Sequence, residues 1–183
     1  MLSLAWPVGM TAEAVGLVKL DRKPVALDAR RAGGALARAA GGSALTVLIE
    51  TASGAAELAL GLALRGYAYT AQKSKPDEAP KPAVLMLKDP GEAAAALAAA
   101  KAVAEGVAFT RDLVSAPANV LTTTRFAEEL VALSELGLEV EVLDEDRLAD
   151  LGMRTLLAVG QGSDSPSKVV VMRWKSAEGA PLA

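Results

Sequence analysis

The chain has 183 residues, of which 52% are hydrophobic, and it contains neither histidine nor cysteine. These absences exclude zinc sites of the histidine type, histidine general bases, serine triads, disulfides and thiol chemistry from this sequence. The net charge of −3 is uneven: residues 1–90 carry 11 basic and 8 acidic residues, and residues 91–183 carry 8 and 14. The sequence shows no concentrated basic face, so nucleic-acid binding is disfavoured.

Length and hydropathy predict one domain or one and a half, with a core of small aliphatic side chains. The first ten residues lack the basic n-region and long apolar run of a signal peptide. No run reaches the ~20 uncharged apolar residues of a membrane span, because four charged residues interrupt the longest one: Glu92, Lys101, Glu105 and Arg111. The sequence therefore predicts a cytoplasmic protein without a membrane segment.

The N-terminal part of the chain is predicted to begin with two strands and a helix. Residues 14–20 and 24–27 are separated by a polar turn, which predicts a β-hairpin. Asp28 is a candidate cap for a helix over residues 30–40, which Gly41 is expected to end.

Two apolar runs then predict strands that are buried on both faces. These are residues 45–49 and 84–87, and between them Ser53 is a candidate cap for a further helix. The proline-rich segment 72–82 is predicted to be an exposed loop. Pro90 opens the longest predicted helix, residues 90–115, as expected for proline in a first helical turn. Six apolar residues are expected to bury one side of it: Leu97, Val103, Val107, Val114 and, more loosely, Phe109 and Leu113.

After this long helix, Pro117 forces a stop and Thr122 or Thr123 is predicted to cap the next helix. That helix is expected to end at Gly137. Asp144 is a candidate cap for another short helix, and residues 153–159 fit either a helix or a strand. The remaining predicted elements are a half-buried strand over 138–143, the short helix 145–151, a loop over 160–167 and a buried strand over 168–174. The alternation of strands and helices predicts an α/β fold with a layered mixed or parallel sheet flanked by helices.

Six carboxylates in the second half are the densest group of candidate metal ligands or acid–base residues. They lie on one strand edge and one short exposed helix, which favours a solvated surface over a functional site. The six are Glu139, Glu141, Asp144, Glu145, Asp146 and Asp150.

Gly160, Gly162 and Ser163 form a glycine-rich turn after an apolar run. A phosphate-binding loop should lead into a helix N-terminus, whereas this turn leads into a predicted strand, so a structural role is favoured. Arg111 could grip a carboxylate or a phosphate, but pairing across a domain contact at a helix end is favoured. Asn119 is expected to hydrogen-bond the backbone of the turn after Pro117.

The segment TRDLVSAPANVLTTTRF, residues 110–126, resembles the junction between the two domains of the leucyl (cytosol) aminopeptidase family, which reads roughly R-D-L-V-N-x-P-A-N-x-L-T-P. Two positions depart from it: Ser115 stands where the family usually has asparagine and Thr123 where it usually has proline. A second block, LGMRTLLAVGQGS over residues 151–163, is also similar to the family, as is the segment 61–69. The resemblance covers residues 61–183 and is weak over residues 1–60. Nine residues match the junction pattern: Arg111, Asp112, Leu113, Val114, Pro117, Ala118, Asn119, Leu121 and Thr122.

The resemblance implies a macro-domain-like N-terminal domain over residues 1–115. Residues 116–183 would be the linker region and the start of an incomplete metallopeptidase catalytic domain. In the family that catalytic domain binds two divalent metals, zinc or manganese, and hydrolyses the N-terminal peptide bond of peptides, with leucine preferred. Its first metal-binding motif would follow a strand beginning near Pro181, so no catalytic, metal or substrate-binding residue is expected in this chain.

The resemblance thus implies an N-terminal part that is inactive by itself and partners its own C-terminal catalytic domain, within a homo-hexamer built as a trimer of dimers. An alternative is a stand-alone macro-like module that binds ADP-ribose or a related nucleotide. Its phosphate loop would have to come from Gly33 and Gly34 or from residues 41–43, which are poorly placed for that role. A purely structural oligomerisation domain is the third possibility.

Overall fold

The structure is a computed structural model that describes residues 2–75 and 81–175. Much of the predicted 72–82 loop and the predicted strand near Pro181 lie outside the described residues. The chain divides into two compact units, Met1–Asp112 and Leu113–Ala183. The sequence-based boundary after residue 115 remains a prediction.

In the described part of the first unit, residues 2–75 and 81–112, the strands form two separate two-stranded ladders. Strand β1 (Leu2–Ala5) pairs antiparallel with β2 (Val15–Val18), and β3 (Leu45–Ile49) pairs in parallel with β4 (Ala83–Leu87). The predicted strand over 24–27 is wrong, because helix formation begins at Ala26. The partner of β2 in the hairpin is instead the N-terminal segment.

Three helices belong to this part of the chain: α1 (Ala26–Ala40), α2 (Ala55–Gly66) and α3 (Pro90–Ser115). Gly41 ends α1 in the left-handed conformation at φ 57°, as predicted. Asp28 lies inside the first turn of α1, so the predicted cap is wrong. Gly54 rather than Ser53 precedes α2, and it makes no side-chain cap.

Helices α1 and α2 pack so closely that two glycines are required between them. A Cβ on Gly33 would overlap the carbonyl oxygen of Leu58, and a Cβ on Gly61 would overlap that of Arg30. Arg30 also donates from Nε and Nη2 to Oε2 of Glu57, at 2.9 and 2.6 Å. The helix pair covers one face of the β3–β4 ladder, and the core comprises Leu36, Val47, Leu58 and Leu62.

The β3–β4 ladder is covered on one face only, so the expectation of strands buried on both faces is wrong. Val47 is buried, whereas Leu48 is 78% exposed and its neighbour across the ladder, Met86, is 53% exposed. Successive side chains of a strand point to opposite faces. The apolar run therefore supplies one core face and one exposed apolar face.

Helix α3 spans the predicted range but buries less than the sequence suggests. Only Ala93 is buried among its described residues, and Val103 and Val114 are 53% and 82% exposed. Helix α3 is long and apolar enough to cross a membrane, but a single helix of this kind is only weak evidence for a membrane span. Asp89 rather than a residue of the helix caps its start, accepting from the backbone N–H of Gly91 at 3.1 Å.

Over residues 113–175, the second unit contains three helices and one antiparallel ladder. They are α4 (Thr123–Ala132), α5 (Glu145–Asp150) and α6 (Arg154–Gly160), with strands β5 (Glu139–Leu143) and β6 (Val169–Arg173), and a 3₁₀ turn over Leu133–Leu136.

The caps predicted for the second unit are confirmed. The hydroxyl of Thr122 accepts from the backbone N–H of Arg125 at 3.2 Å, and Asp144 Oδ1 accepts from the backbone N–H of Arg147 at 3.1 Å. Gly137 ends the 3₁₀ turn with φ 93°. The ambiguous segment 153–159 is helical. Among the described residues of this unit, three apolar side chains are buried, and they lie on α4 and α5: Ala127, Leu130 and Leu148.

The predicted α/β class is confirmed as a mixture of helices with small two-stranded sheets. One ladder is parallel and two are antiparallel. Residues 168–174 do form a strand, although β6 is half-buried to exposed rather than buried.

Candidate functional site

Glu139 and Glu141 face a pair of cations across the β5–β6 ladder. Lys175 Nζ lies 2.8 Å from Glu139 Oε2, and Arg173 Nη2 lies 3.0 Å from Glu141 Oε2. The hydrogen bond and charge of Lys175, helped by the charge of Arg173, lower the pKa of Glu139. Both carboxylates are therefore partners in surface ion pairs.

The next two carboxylates hold the backbone of the second unit. Asp144 caps α5, and Glu145 Oε1 accepts from the backbone N–H of Ser167 at 2.8 Å. Ser167 is the buried polar residue of the described chain, so Glu145 satisfies an N–H group that solvent reaches poorly. Both acids have structural partners.

Across residues 2–75 and 81–175, no group of three or more histidine, cysteine, aspartate or glutamate side chains is placed to hold a metal ion. Asp146 and Asp150 lie on exposed positions of α5. The described carboxylates thus do not fit a divalent metal, which normally takes several oxygen or nitrogen ligands at once.

The glycine-rich turn at Gly160 follows the C-terminus of α6 and leads to β6. A helix C-terminus presents carbonyl groups and repels anions, so this turn does not form a phosphate loop. A Cβ on Gly160 would overlap the Ser167 hydroxyl, so a larger residue there would require that side chain to move. The turn leads to β6 rather than to a helix N-terminus, as the sequence predicts.

The glycines of the alternative nucleotide loop are also accounted for by packing. Gly33 lies in the middle of α1 against α2, and Gly41 and Gly42 link the C-terminus of α1 to the strand β3. Neither pair precedes a helix N-terminus. The described residues therefore give no support to a glycine-loop nucleotide site.

Arg111 and Asp112 anchor α3 to the C-terminal end of α2. Arg111 Nη1 donates to the carbonyl oxygen of Leu64 at 2.7 Å, and its guanidinium lies 5.3 Å from the ring centroid of Tyr67. The hydroxyl of Tyr67 donates to Asp112 Oδ1 at 2.9 Å. The positive charge of Arg111 thus lies at the C-terminal end of a helix, where the helix dipole favours it. That helix is α2, whereas Arg111 itself belongs to α3.

The turn after Pro117 is closed by its own backbone. The N–H groups of Val120 and Leu121 both donate to the carbonyl oxygen of Pro117 at 2.9 Å. Asn119 is exposed and makes no side-chain hydrogen bond to the described residues. The backbone contact predicted for Asn119 is therefore wrong.

Sequence reasoning missed two groups of functional interest. The contact of Tyr67 with Asp112, in the RDLV motif (residues 111–114), has no local sequence signal, because the two residues lie 45 positions apart. The arginines of α1 and α2 were also missed: Arg31 and Arg38 are seven residues apart, which places both on one helix face.

Comparison with known proteins gives a consistent result. Residues 108–183 match the family model described as the catalytic domain of the cytosol aminopeptidase family. The probable cytosol aminopeptidase of Dinoroseobacter shibae is 51% identical over 183 residues, and that of Cereibacter sphaeroides is 49% identical over 184. Each alignment covers 100% of this chain and 38% of the relative, so the chain spans well under half the length of the curated relatives it matches.

Solved structures agree with the curated relatives. The bottromycin maturation enzyme BotP in complex with Mn is similar with a TM-score of 0.77 and 28% identity, over 96% of this chain and 39% of that one. A tomato leucine aminopeptidase mutant has a TM-score of 0.80 over 98% of this chain and 39% of that one, and at 19% identity it supports the fold alone.

The mixed α/β fold and these similarities place the chain among relatives of the cytosol aminopeptidases. It belongs to the leucyl (cytosol) aminopeptidase family and corresponds to the N-terminal part of its members. The resemblance identified at the RDLV segment is confirmed, and the curated relatives extend it across residues 1–60.

Proposed function

We propose that this chain is the N-terminal, non-catalytic part of a metal-dependent aminopeptidase that releases N-terminal residues, leucine preferred, from peptides. The proposal is supported by the alignment of the chain with aminopeptidases together with the lack of a metal-binding group among its described residues. The chemistry would then belong to residues beyond this chain, and no site residue is assigned here.

The proposed organisation has a macro-domain-like region over residues 1–115 and a linker with the start of the catalytic domain over 116–183. The parallel β3–β4 ladder beside α1 and α2 supports a layered α/β region in the first part. The family match that begins at residue 108 supports the assignment of the second part.

Two divalent metals, zinc or manganese, are assigned by the same proposal to the catalytic domain. When bound they would supply Lewis acidity for hydrolysis. This chain's own contribution is structural: Arg111 and Asp112 hold α3, just before the proposed linker, against the end of α2. A cytoplasmic homo-hexamer, built as a trimer of dimers, completes the proposal, and the names of the relatives as cytosol aminopeptidases support that location.

The test compares the 183-residue chain with a longer protein that continues through the catalytic domain. Both are assayed on a leucyl arylamide with manganese added, after intact mass measurement has shown one species of 18.7 kDa for the short chain. Activity in the long protein alone is expected. Arylamide hydrolysis by the short chain at a comparable rate, in a preparation free of other polypeptides, would contradict the proposal.

A further inference from the structure

The first unit also has an arginine-lined surface pocket, which does not include the residues of the RDLV motif. Helices α1 and α2 and the start of β1 border a surface pocket of about 460 Å³. Three arginines line it, Arg31 and Arg38 from α1 and Arg65 from α2, together with Leu2 and the small residue Gly34. A volume of this size is within the range of small-molecule sites.

The charge of this pocket is poorly neutralised. Arg31 has Asp28 as its partner, but the two groups are 3.9 Å apart and are 72% and 58% exposed. Over the described ranges, Arg38 and Arg65 have no carboxylate within ion-pair distance. By contrast, the neighbouring Arg30 is held tightly by Glu57. The pocket therefore carries an excess of about two to three positive charges.

The close packing of α1 against α2 is what brings these arginines together. Gly33 and Gly61 let the helix axes approach, so that side chains of the two helices border the same concavity. The three arginines that line this pocket have between them one loosely placed carboxylate partner, Asp28, so the pocket keeps an excess of positive charge that a bound anion would neutralise. Guanidinium groups match phosphate oxygens in a bidentate geometry.

We infer that this pocket binds a small soluble organic phosphate with at least two negative charges, of the nucleoside diphosphate class. The phosphates would contact Arg31, Arg38 and Arg65, and the organic part would lie against Leu2 and the small side chains of α1. The site differs from a glycine loop, because its donors are side chains. It does not depend on the proposed peptidase function, and it lies within the first unit.

The probe is ADP, with inorganic pyrophosphate as a second ligand, in calorimetric titrations of the full 183-residue chain at low salt. Saturable binding with a Kd at or below about 1 mM is expected for both. Arg38→Gln and Arg65→Gln are expected to weaken binding about tenfold each, since each removes a charge-assisted hydrogen bond. Both side chains are exposed, so the variants should fold, which circular dichroism checks.

Arg22→Gln is the matched control, because it removes the same charge from an exposed residue of the same unit that does not line the pocket. Its affinity for ADP should equal that of the parent chain. Three results would overturn the inference: no saturable binding of either ligand, equal weakening by Arg22→Gln, or stronger binding of an oligoglutamate peptide than of ADP. Failure of peptide hydrolysis in the longer protein would leave this result unaffected.

Discussion

The hydroxyl of Tyr67, just after α2, donates a hydrogen bond to Asp112 in α3, at 2.9 Å and 45 residues apart in sequence. Asp112 is the last residue of the first unit. Together with the hydrogen bond from Arg111 to the Leu64 carbonyl, this contact attaches the C-terminal part of α3 to the end of α2. The RDLV motif therefore has a structural explanation in this chain.

Removing the Tyr67 hydroxyl should loosen this attachment. Tyr67→Phe is expected to lower the free energy of unfolding by about 0.5–1.5 kcal/mol, the usual net value of one hydrogen bond. Tyr69→Phe is the control, because the Tyr69 hydroxyl makes no hydrogen bond to the described residues. Urea unfolding curves measure both variants, and an equal loss in the two would contradict the assignment.

The contact of Arg111 with the Leu64 carbonyl should stabilise the chain more than the hydrogen bond between Tyr67 and Asp112. Arg111→Gln removes a charged donor to the Leu64 carbonyl and the cation over the Tyr67 ring. The expected loss is about 2–3 kcal/mol, since hydrogen bonds of charged groups exceed neutral ones and the aromatic contact adds to them. Arg125→Gln, which breaks only exposed pairs on α4, should cost under about 1 kcal/mol. Comparable losses would refute a special role for Arg111.

The contact between α1 and α2 should not tolerate a methyl group. Gly33→Ala and Gly61→Ala each place a Cβ on a carbonyl oxygen of the facing helix, so each is expected to cost about 1–3 kcal/mol or more. Gly106→Ala on α3 has free space around the new methyl and should instead stabilise the chain by about 0.5–1 kcal/mol. Thermal unfolding compares the three, and a gain for either of the first two would contradict the packing.

The Lys175 contact should be visible in the titration of Glu139. Because Lys175 lowers the pKa of Glu139, the ion pair stabilises the fold above the ordinary glutamate pKa. That stability is lost as the pH falls through the lowered folded-state value. Lys175→Gln should raise the pKa of Glu139 measured by carboxyl NMR, whereas Lys101→Gln on α3 should leave it unchanged. No rise in Lys175→Gln would disprove the contact.

Strand β6 should be protected differently in short and long forms of the protein. In the described residues it pairs with β5 alone, and Met172 and Trp174 are 47% and 62% exposed. Amide exchange over residues 169–172 should be fast in the 183-residue chain and slower in a longer protein whose catalytic domain covers this edge. Equal exchange in both would argue against that cover.

The sequence by itself determined the local features whose cause is local. Thr122, Asp144 and Gly41 end or begin helices through bonds and backbone angles within a few residues, and the pattern around each is sufficient to predict it. The amino-acid sequence of residues 110–126 was likewise sufficient to indicate the family. The absence of histidine and cysteine excluded whole classes of chemistry without any structure.

Only the tertiary structure decided which residues meet across long sequence distances. The packing of helices and strands determines three contacts that the sequence did not predict. It pairs β1 with β2, brings Tyr67 next to Asp112 and places three arginines at one pocket. The burial of β3 on a single face was also invisible in sequence, because an apolar run reads the same whether one face or two are covered. Such contacts depend on the packing of distant segments, which local propensity does not encode.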